Sequence, residues 1–326
     1  MKFLYKGLAA AAISMIGLGA NQACLAQNYP ERPITLVVPF TAGGITDLLS
    51  RTVGEALSKR VGQPVVVENR PGAGGSIGME SVARAKPDGY TIGIGTRGTQ
   101  ATNLMIYDNI KYDPIKDFEA IHTIGDAATV LVANPNRPYK SVAELIAYAR
   151  ANPGKVNFGT AGNGTAAHLT GVLFQRLAKV QLVHVPYRGS APAVQDLMAG
   201  VVDIAFDYPA STIGAIQAGR LTPLAVMYGE RISVLPDVPT IAEAGLPGAE
   251  ASSWMAMFVP AGTPKPAVEK LVHAMSDVMA DPEIKKKIEH LGAIPLAVGG
   301  DDLTELVKKE IVKWGEVVKQ AGLKAN

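Results

Sequence analysis

The sequence predicts a two-lobed protein of the α/β class, and three observations lead to this prediction. Short β-rich runs alternate with segments of helical spacing from Ile34 to Ile94, and the alternation begins again near Thr129. After residue 263 helices follow one another with little between them. The 326 residues are enough for two domains. Alternating strands and helices favour parallel sheets covered by helices on both faces.

The first series begins with a β-rich run at residues 34–39. Residues 47–60 carry apolar side chains at helical spacing. Residues 65–67 and 90–94 are β-rich again, and a helix that begins at Ser76 and runs to Ala85 separates them. This order predicts a β-α-β-α-β unit.

The second series begins with a strand at residues 130–133. Ser141 and Glu144 have the spacing of a capping box, which opens a helix that ends at residues 152–154. Further strands are predicted at 156–158, 182–185, 202–206 and 224–226, with helices at 166–177 and 192–199.

The end of the chain has a strand at residues 254–259 and then three helices, which begin near residues 263, 281 and 301. Terminal helices of this kind usually pack on a domain that is already formed. The first lobe is therefore predicted from both ends of the chain, with crossings between the lobes near residues 130–135 and 254–260. The predicted limits are 27–130 and 252–326 for the first lobe and 131–251 for the second.

The first 26 residues have the layout of a secretory signal peptide, with Lys2 and Lys6, a 14-residue apolar run and small residues before a cleavage point after Ala26. The run is shorter than the roughly 20 residues that span a bilayer. A buried N-terminal helix and a lipid anchor at Cys24 are the alternatives. Cleavage would leave 29 basic and 29 acidic side chains and no cysteine, hence no disulfide and no thiolate.

Composition excludes several classes of protein. With 48% apolar and 18% charged residues the chain is neither a disordered tail nor a coiled coil. The balanced charge does not suggest a partner nucleic acid. The five histidines lack the spacing of a zinc site, so no metal and no cofactor are expected.

Two glycine-rich loops between a strand and a helix are candidates for binding an anion. Residues 39–47 form the first and residues 159–168 the second, in the other lobe. A helix start has unpaired N–H groups and partial positive charge, and Thr165 can cap the second helix. The alternative for the first loop is a tight turn without a ligand. His168 either faces the same space or is a hydrogen-bonded structural histidine.

Three further motif matches suggest nucleotide binding or a serine hydrolase, but each lacks part of the pattern that the chemistry requires. Residues 162–167 fit G-x-G-x-x-A, but no acid for a ribose occurs between Thr165 and Gln195, which argues against NAD. Residues 93–98 match a similar pattern, with no clear helix after them. Ser76 lies in a G-x-S-x-G match, but residues 68–75 separate it from the strand, so a helix cap is the better interpretation.

The chain resembles the Bug, or TctC-type, solute receptors, the periplasmic binding proteins of tripartite tricarboxylate transporters. The resemblance covers the whole chain after residue 26 in order. It rests on residues 39–44 with Asp47 and Arg51, and on residues 68–75, 87–91, 159–168, 184–189, 235–240 and 243–245.

The resemblance implies a type II periplasmic-binding-protein fold, in which two α/β lobes joined by two crossing strands enclose a ligand cleft. It also implies the binding residues, partly acting through water. These are Phe40, Thr41, Ala42, Gly43 and Asp47 on one side, Gly162, Asn163, Thr165, Ala166 and His168 on the other, Asp207 deeper, and Thr96 and Thr99 after the third strand. Tyr208 and Pro209 depart from the family pattern and leave the choice of ligand open.

The implied function is that of a periplasmic receptor and not of an enzyme. The ligand is a small carboxylate, which is a di- or tricarboxylate, an acidic amino acid or an aromatic acid. A monomer would deliver it to the subunits of a membrane permease. The alternatives are a ligand-sensing subunit for a signalling receptor and an exported hydrolase that uses Ser76.

Overall fold

The computed structural model describes residues 29–321, which form two β-sheets with helices packed against them. The strands are β1 (Ile34–Val38), β2 (Val65–Asn69), β3 (Thr91–Thr96), β4 (Phe118–Ala128), β5 (Val130–Ala133), β6 (Val156–Thr160), β7 (Leu182–Pro186), β8 (Ile204–Asp207), β9 (Thr222–Val226), β10 (Ser252–Pro260) and β11 (Ala293–Ile294). The α-helices are α1 (Ile45–Val61), α2 (Ser76–Ala83), α3 (Asn103–Ile106), α4 (Val142–Ala151), α5 (Ala166–Ala178), α6 (Ser190–Ala199), α7 (Pro209–Gln217), α8 (Lys265–Ala280), α9 (Pro282–His290) and α10 (Gly300–Ala321).

The first sheet has the strand order β11-β4-β10-β3-β1-β2. Strand β1 pairs in parallel with both β2 and β3, whereas β10 runs antiparallel to β3 and β4. The loops after β1, β2 and β3 therefore leave the sheet at the same edge, where ligands bind in open α/β sheets.

The second sheet has the order β7-β6-β8-β5-β9. Strand β6 pairs in parallel with β7 and β8, and β5 is antiparallel to β8 and β9. The loops after β6, β7 and β8 consequently share one edge, which faces the corresponding edge of the first sheet.

The chain changes sheet between β4 and β5, because β4 ends at Ala128 in the first sheet and β5 begins at Val130 in the second. The return falls between β9 and β10, so residues 254–260 lie inside the first sheet. The lobe limits at residues 130–131 and 251–252 remain a prediction.

The α/β class with two sheets is confirmed, and most predicted elements occur within a few residues of their expected limits. In the capping box at α4, the Ser141 Oγ accepts a hydrogen bond from the Glu144 N–H at 3.2 Å. Glu144 reaches back as expected, but its carboxylate accepts from the Lys140 N–H at 2.6 Å.

Two local predictions are corrected by the structure. Ser76 does not cap α2: Gly75 occupies the N-cap position with φ +95°, and Ser76 is the first helical residue. Helical structure does follow residues 93–98, because a π-helical turn at Gly98–Thr102 runs directly into α3. The predicted signal peptide and Cys24 lie outside the described residues.

Each lobe has its own apolar core, and a smaller cluster joins the two. Leu169 of α5, in the second lobe, packs with Ile106 of α3 and with Trp314 and Val318 of α10, in the first. Within residues 29–321 no helix combines the length and apolarity needed to cross a bilayer. The same part of the chain contains no cluster of three or more potential metal ligands.

Candidate ligand-binding site

A narrow cleft, here called the inner chamber, lies between the lobes. The starts of α1, α5 and α6 all reach it. Its lining residues are Phe40, Gly44, Ile45, Thr46, Thr96, Ala161, Thr165, Ala166, Ser190, Tyr208 and Ser253. The lining contains six hydroxyl groups and no charged side chain. Any negative charge bound there is stabilised by hydrogen bonds and helix starts instead of by a cation.

The loop before α1 is held in place by Asp47. The buried Asp47 carboxylate accepts from the Gly43 N–H at 3.0 Å, from Arg51 at 2.9 and 3.0 Å and from the Asn69 amide at 3.0 Å. Burial raises the pKa of Asp47, but the hydrogen bonds from Arg51, Gly43 and Asn69 outweigh it and leave that pKa below its usual range. Asp47 therefore holds the loop in place through hydrogen bonds to Gly43, Arg51 and Asn69.

The same hydrogen-bond network positions Phe40. The Asn69 amide donates to the Phe40 carbonyl at 2.9 Å as well as to Asp47. The Phe40 ring consequently lies against the chamber, next to Gly75.

The loop before α5 is closed by Thr165, which is the N-cap residue of the helix. Its Oγ1 accepts from the His168 N–H at 3.3 Å and donates to the Gly162 carbonyl at 2.7 Å. The remaining N–H groups of the first turn have no partner within the helix. Since Thr165 and Ala166 line the inner chamber, these donors are available to a ligand.

His168 lies behind this loop. Its Nδ1 accepts from the Gly164 N–H at 3.2 Å, and its ring stacks on His184 with centroids 4.1 Å apart. His184 stacks in turn on Phe158, and its Nε2 is 2.7 Å from the Thr160 Oγ1. Burial lowers the pKa of His168 to about 4 and the pKa of His184 to about 3. Both rings are neutral near pH 7 and support the loop from inside.

Asp207 lies one layer behind the chamber wall. Its Oδ1 accepts from the Ser190 Oγ at 2.6 Å and from the Tyr208 N–H at 2.7 Å, and both of these residues line the chamber. Its Oδ2 is buried and has no hydrogen-bond partner among the described residues. Burial raises the pKa of Asp207 to about 6.

The lobes touch directly at the glycine-rich loop before α5. The Tyr107 hydroxyl donates to the Asn163 carbonyl at 2.8 Å, and the Thr102 Oγ1 donates to the Gly164 carbonyl at 3.0 Å. Gly74 is so close to the Asn163 carbonyl that any Cβ at residue 74 would clash with it. The structure is therefore a closed form.

The structure brings only part of the predicted set to the inner chamber. Phe40, Thr96, Thr165 and Ala166 line it. Asp47, His168 and Asp207 support it from behind, as does Thr99, which exchanges hydrogen bonds with Thr96. Gly162 and Asn163 line an adjacent cavity, whereas Ala42 and Gly43 are exposed and Thr41 packs against Gly189.

Several lining residues were not among the predicted ones. They are Gly44, Ile45, Thr46, Ala161, Ser190, Tyr208 and Ser253. The sequence could have predicted Ser190, because it follows a glycine, Gly189, at the start of α6, just as Ile45 follows Gly44 at the start of α1. Ser253 had none: it reaches the chamber because β10 pairs beside β3, and this pairing joins residues far apart in sequence.

The arrangement around Ser76 does not support a hydrolase. The Ser76 Oγ accepts from the Asn103 amide at 2.8 Å, and no histidine contacts it within residues 29–321. Ser76 is also absent from the lining of the inner chamber. Its contacts are those of a residue that joins α2 to α3.

Residues 49–323 match the sequence model of the tripartite tricarboxylate transporter receptor family, TctC. The chain belongs to this family. It is 40% identical over 91% of its length to a UPF0065 protein from the tcbD-tcbE intergenic region of Pseudomonas sp. strain P51, and the match covers 89% of that relative. The fold and family are those of periplasmic solute-binding receptors.

Solved structures agree with this assignment. The periplasmic binding protein BugD is 39% identical with a TM-score of 0.87, and the match covers 91% of this chain and 100% of that one. R. palustris Rpa4515 with adipate is 38% identical with a TM-score of 0.88 over the same shares. MatC from Rhodopseudomonas palustris with bound malate is 35% identical with a TM-score of 0.84, over 89% and 100% of the two chains.

Proposed function

We propose that this chain is an exported receptor that captures a small carboxylate in the inner chamber and delivers it to a tripartite tricarboxylate-type permease. The observation that carries the proposal is the convergence of three helix starts and six hydroxyl groups on one uncharged cleft. Similar proteins with bound adipate and malate support a carboxylate as the ligand class. The N-terminal 26 residues supply the export signal in this proposal.

Hydrogen bonds can supply the affinity without a buried cation. A hydrogen bond to a charged group contributes about 1.5–3 kcal/mol. A micromolar dissociation constant corresponds to about −8 kcal/mol. Four or five such bonds reach this value after the cost of closing the lobes is subtracted. Asp207 would orient a water molecule with its unpartnered Oδ2.

The binding step is tested by calorimetric titration of mono-, di- and tricarboxylates into the chain without residues 1–26. Thr165→Ala should weaken binding of the best ligand about ten-fold or more, because it removes the hydroxyl and loosens the first turn of α5. Ser141→Ala is the matched control. It removes an equivalent N-cap from α4, away from the chamber, and costs about 1 kcal/mol of stability with unchanged affinity.

Equal loss of affinity in both cap variants would contradict the proposal, since a general loss of stability would then explain the result. The delivery step is tested separately by deleting the gene. The deletion should abolish uptake of the carboxylate that binds most tightly in the titration. Unchanged uptake with a lost transcriptional response would indicate a sensing subunit instead.

A further inference from the structure

A second, wider cavity, here called the outer chamber, adjoins the inner chamber. Its lining residues are Phe40, Gly72, Ala73, Gly74, Gly75, Tyr107, Ala161, Gly162, Asn163, Pro186, Tyr187 and Arg188. Phe40 and Ala161 line both chambers. The chambers therefore meet between one side chain from each lobe.

The two chambers differ in charge. The inner chamber has no charged lining residue, whereas the outer chamber has Arg188 and no acidic residue in its lining. The Arg188 side chain is exposed and makes no ion pair with any residue from 29 to 321. On the facing lobe, Arg70 is already paired with Glu68 at 2.7 Å. The guanidinium of Arg188 is thus free to bind an anion in the outer chamber.

The backbone fixes Arg188 at this place when the lobes are closed. Arg188 lies in the short link between β7 and α6, and the next residue, Gly189, packs against Thr41 of the first lobe. A Cβ at residue 189 would clash with the Thr41 Oγ1, so only glycine allows this approach. The preceding residue, Tyr187, donates a hydrogen bond from its hydroxyl to the Asp196 carboxylate at 2.7 Å. Asp196 is therefore already paired within its own lobe.

We propose that the outer chamber is a second carboxylate subsite and that the receptor prefers dicarboxylates long enough to occupy both chambers. One carboxylate binds at the helix starts of the inner chamber. The carbon chain passes between Phe40 and Ala161, and the second carboxylate pairs with Arg188, whose planar guanidinium suits bidentate binding. This inference rests on the proposed function of the inner chamber.

The test compares straight-chain dicarboxylates from malonate to suberate with monocarboxylates of the same length, by calorimetry on the chain without residues 1–26. Beyond a threshold length, the dicarboxylate should bind about ten-fold more tightly than its monocarboxylate partner. Arg188→Gln should remove this advantage and leave the affinity for monocarboxylates unchanged. Arg188→Lys should keep part of it, since the charge remains and the fork geometry is lost.

Arg70→Gln is the control for a change in net charge, because Arg70 is partly exposed and outside both chamber linings. An equal effect of Arg70→Gln and Arg188→Gln would overturn the inference, since it would indicate long-range attraction only. Equal binding of mono- and dicarboxylates by the unaltered protein overturns the second subsite but leaves the proposed function standing. Failure of every carboxylate to bind overturns both.

Discussion

At the scale of the residue, two buried aspartates beside the inner chamber behave differently because their neighbours differ. Asp47 receives four hydrogen bonds, two of them from Arg51, and its pKa lies below the usual range. Asp207 receives two, from the Ser190 hydroxyl and the Tyr208 N–H, and its second oxygen has no partner in the described chain. Its pKa is raised to about 6. Asp47 is a fixed anion, whereas Asp207 can change protonation at mildly acidic pH.

Asp207→Asn tests this difference through stability. With its pKa raised to about 6, folded Asp207 holds its proton up to a higher pH than the unfolded chain does. The free energy of unfolding therefore falls as pH rises from about 4 to about 6. Asparagine does not ionise, so Asp207→Asn should not lose free energy of unfolding in this pH range. The variant should be more stable than the unaltered protein by up to about 3 kcal/mol at pH 8 and should differ little from it at pH 4.

Denaturant unfolding of both proteins at several pH values measures this prediction. Asp237→Asn, at an exposed position of the same lobe, is the control for the loss of one carboxylate. A constant difference between Asp207→Asn and the unaltered protein at all pH values would show that Asp207 does not titrate in this range.

At the scale of the element, local signals predicted the helix starts well. The caps at Ser141 and Thr165 and the stop at Gly200 depend on neighbouring residues, and the structure has all three. Helix α7 was not predicted, and neither were the length and the pairing of β4. The 11 residues of β4 include His122, Gly125 and Asp126 without alternation, and its pairing with β10 joins distant parts of the chain. Ser253, the residue of β10 that lines the chamber, was missed for the same reason.

Gly74→Ala tests how closely the turn at Ala73–Gly75 must approach the second lobe. Gly74 has φ +60°, and a Cβ there would clash with the Asn163 carbonyl. Because the clash exists only when the lobes are closed, the variant should fold and remain open, with at least a ten-fold loss of affinity. X-ray scattering with saturating ligand should show a larger radius of gyration than for the unaltered protein.

Gly214→Ala in α7 is the matched control, since a Cβ at residue 214 meets nothing within 4 Å. It should leave affinity unchanged and raise helix stability by roughly 0.5–1 kcal/mol. The prediction fails if Gly74→Ala binds the ligand as tightly as the unaltered protein and its complex is equally compact. The turn at Ala73–Gly75 could then move away from Asn163 without opening the cleft.

At the scale of the whole molecule, several contacts between the lobes surround one cleft. They include the apolar cluster around Leu169 and Trp314, the hydrogen bonds from Thr102 and Tyr107, and the close packing of Gly189 on Thr41. The hydrogen bonds end on carbonyls of the loop that Thr165 caps. Lobe closure and the shape of the binding loop are therefore coupled, so a change at the contact should alter affinity without touching the ligand.

Tyr107→Phe tests this coupling, because it removes the hydroxyl that donates to the Asn163 carbonyl and keeps the ring. If the closed form becomes less populated, the apparent dissociation constant rises by the factor by which the closed fraction falls. Loss of one hydrogen bond worth about 1 kcal/mol should therefore raise the apparent dissociation constant about five-fold. Calorimetry should show this loss equally for every monocarboxylate that binds, since these ligands do not reach the outer chamber that Tyr107 lines. Tyr148→Phe, on α4 in the second lobe, should show none. A loss confined to one ligand would mean that Tyr107 contacts the ligand itself, and closure would then depend on the other contacts between the lobes.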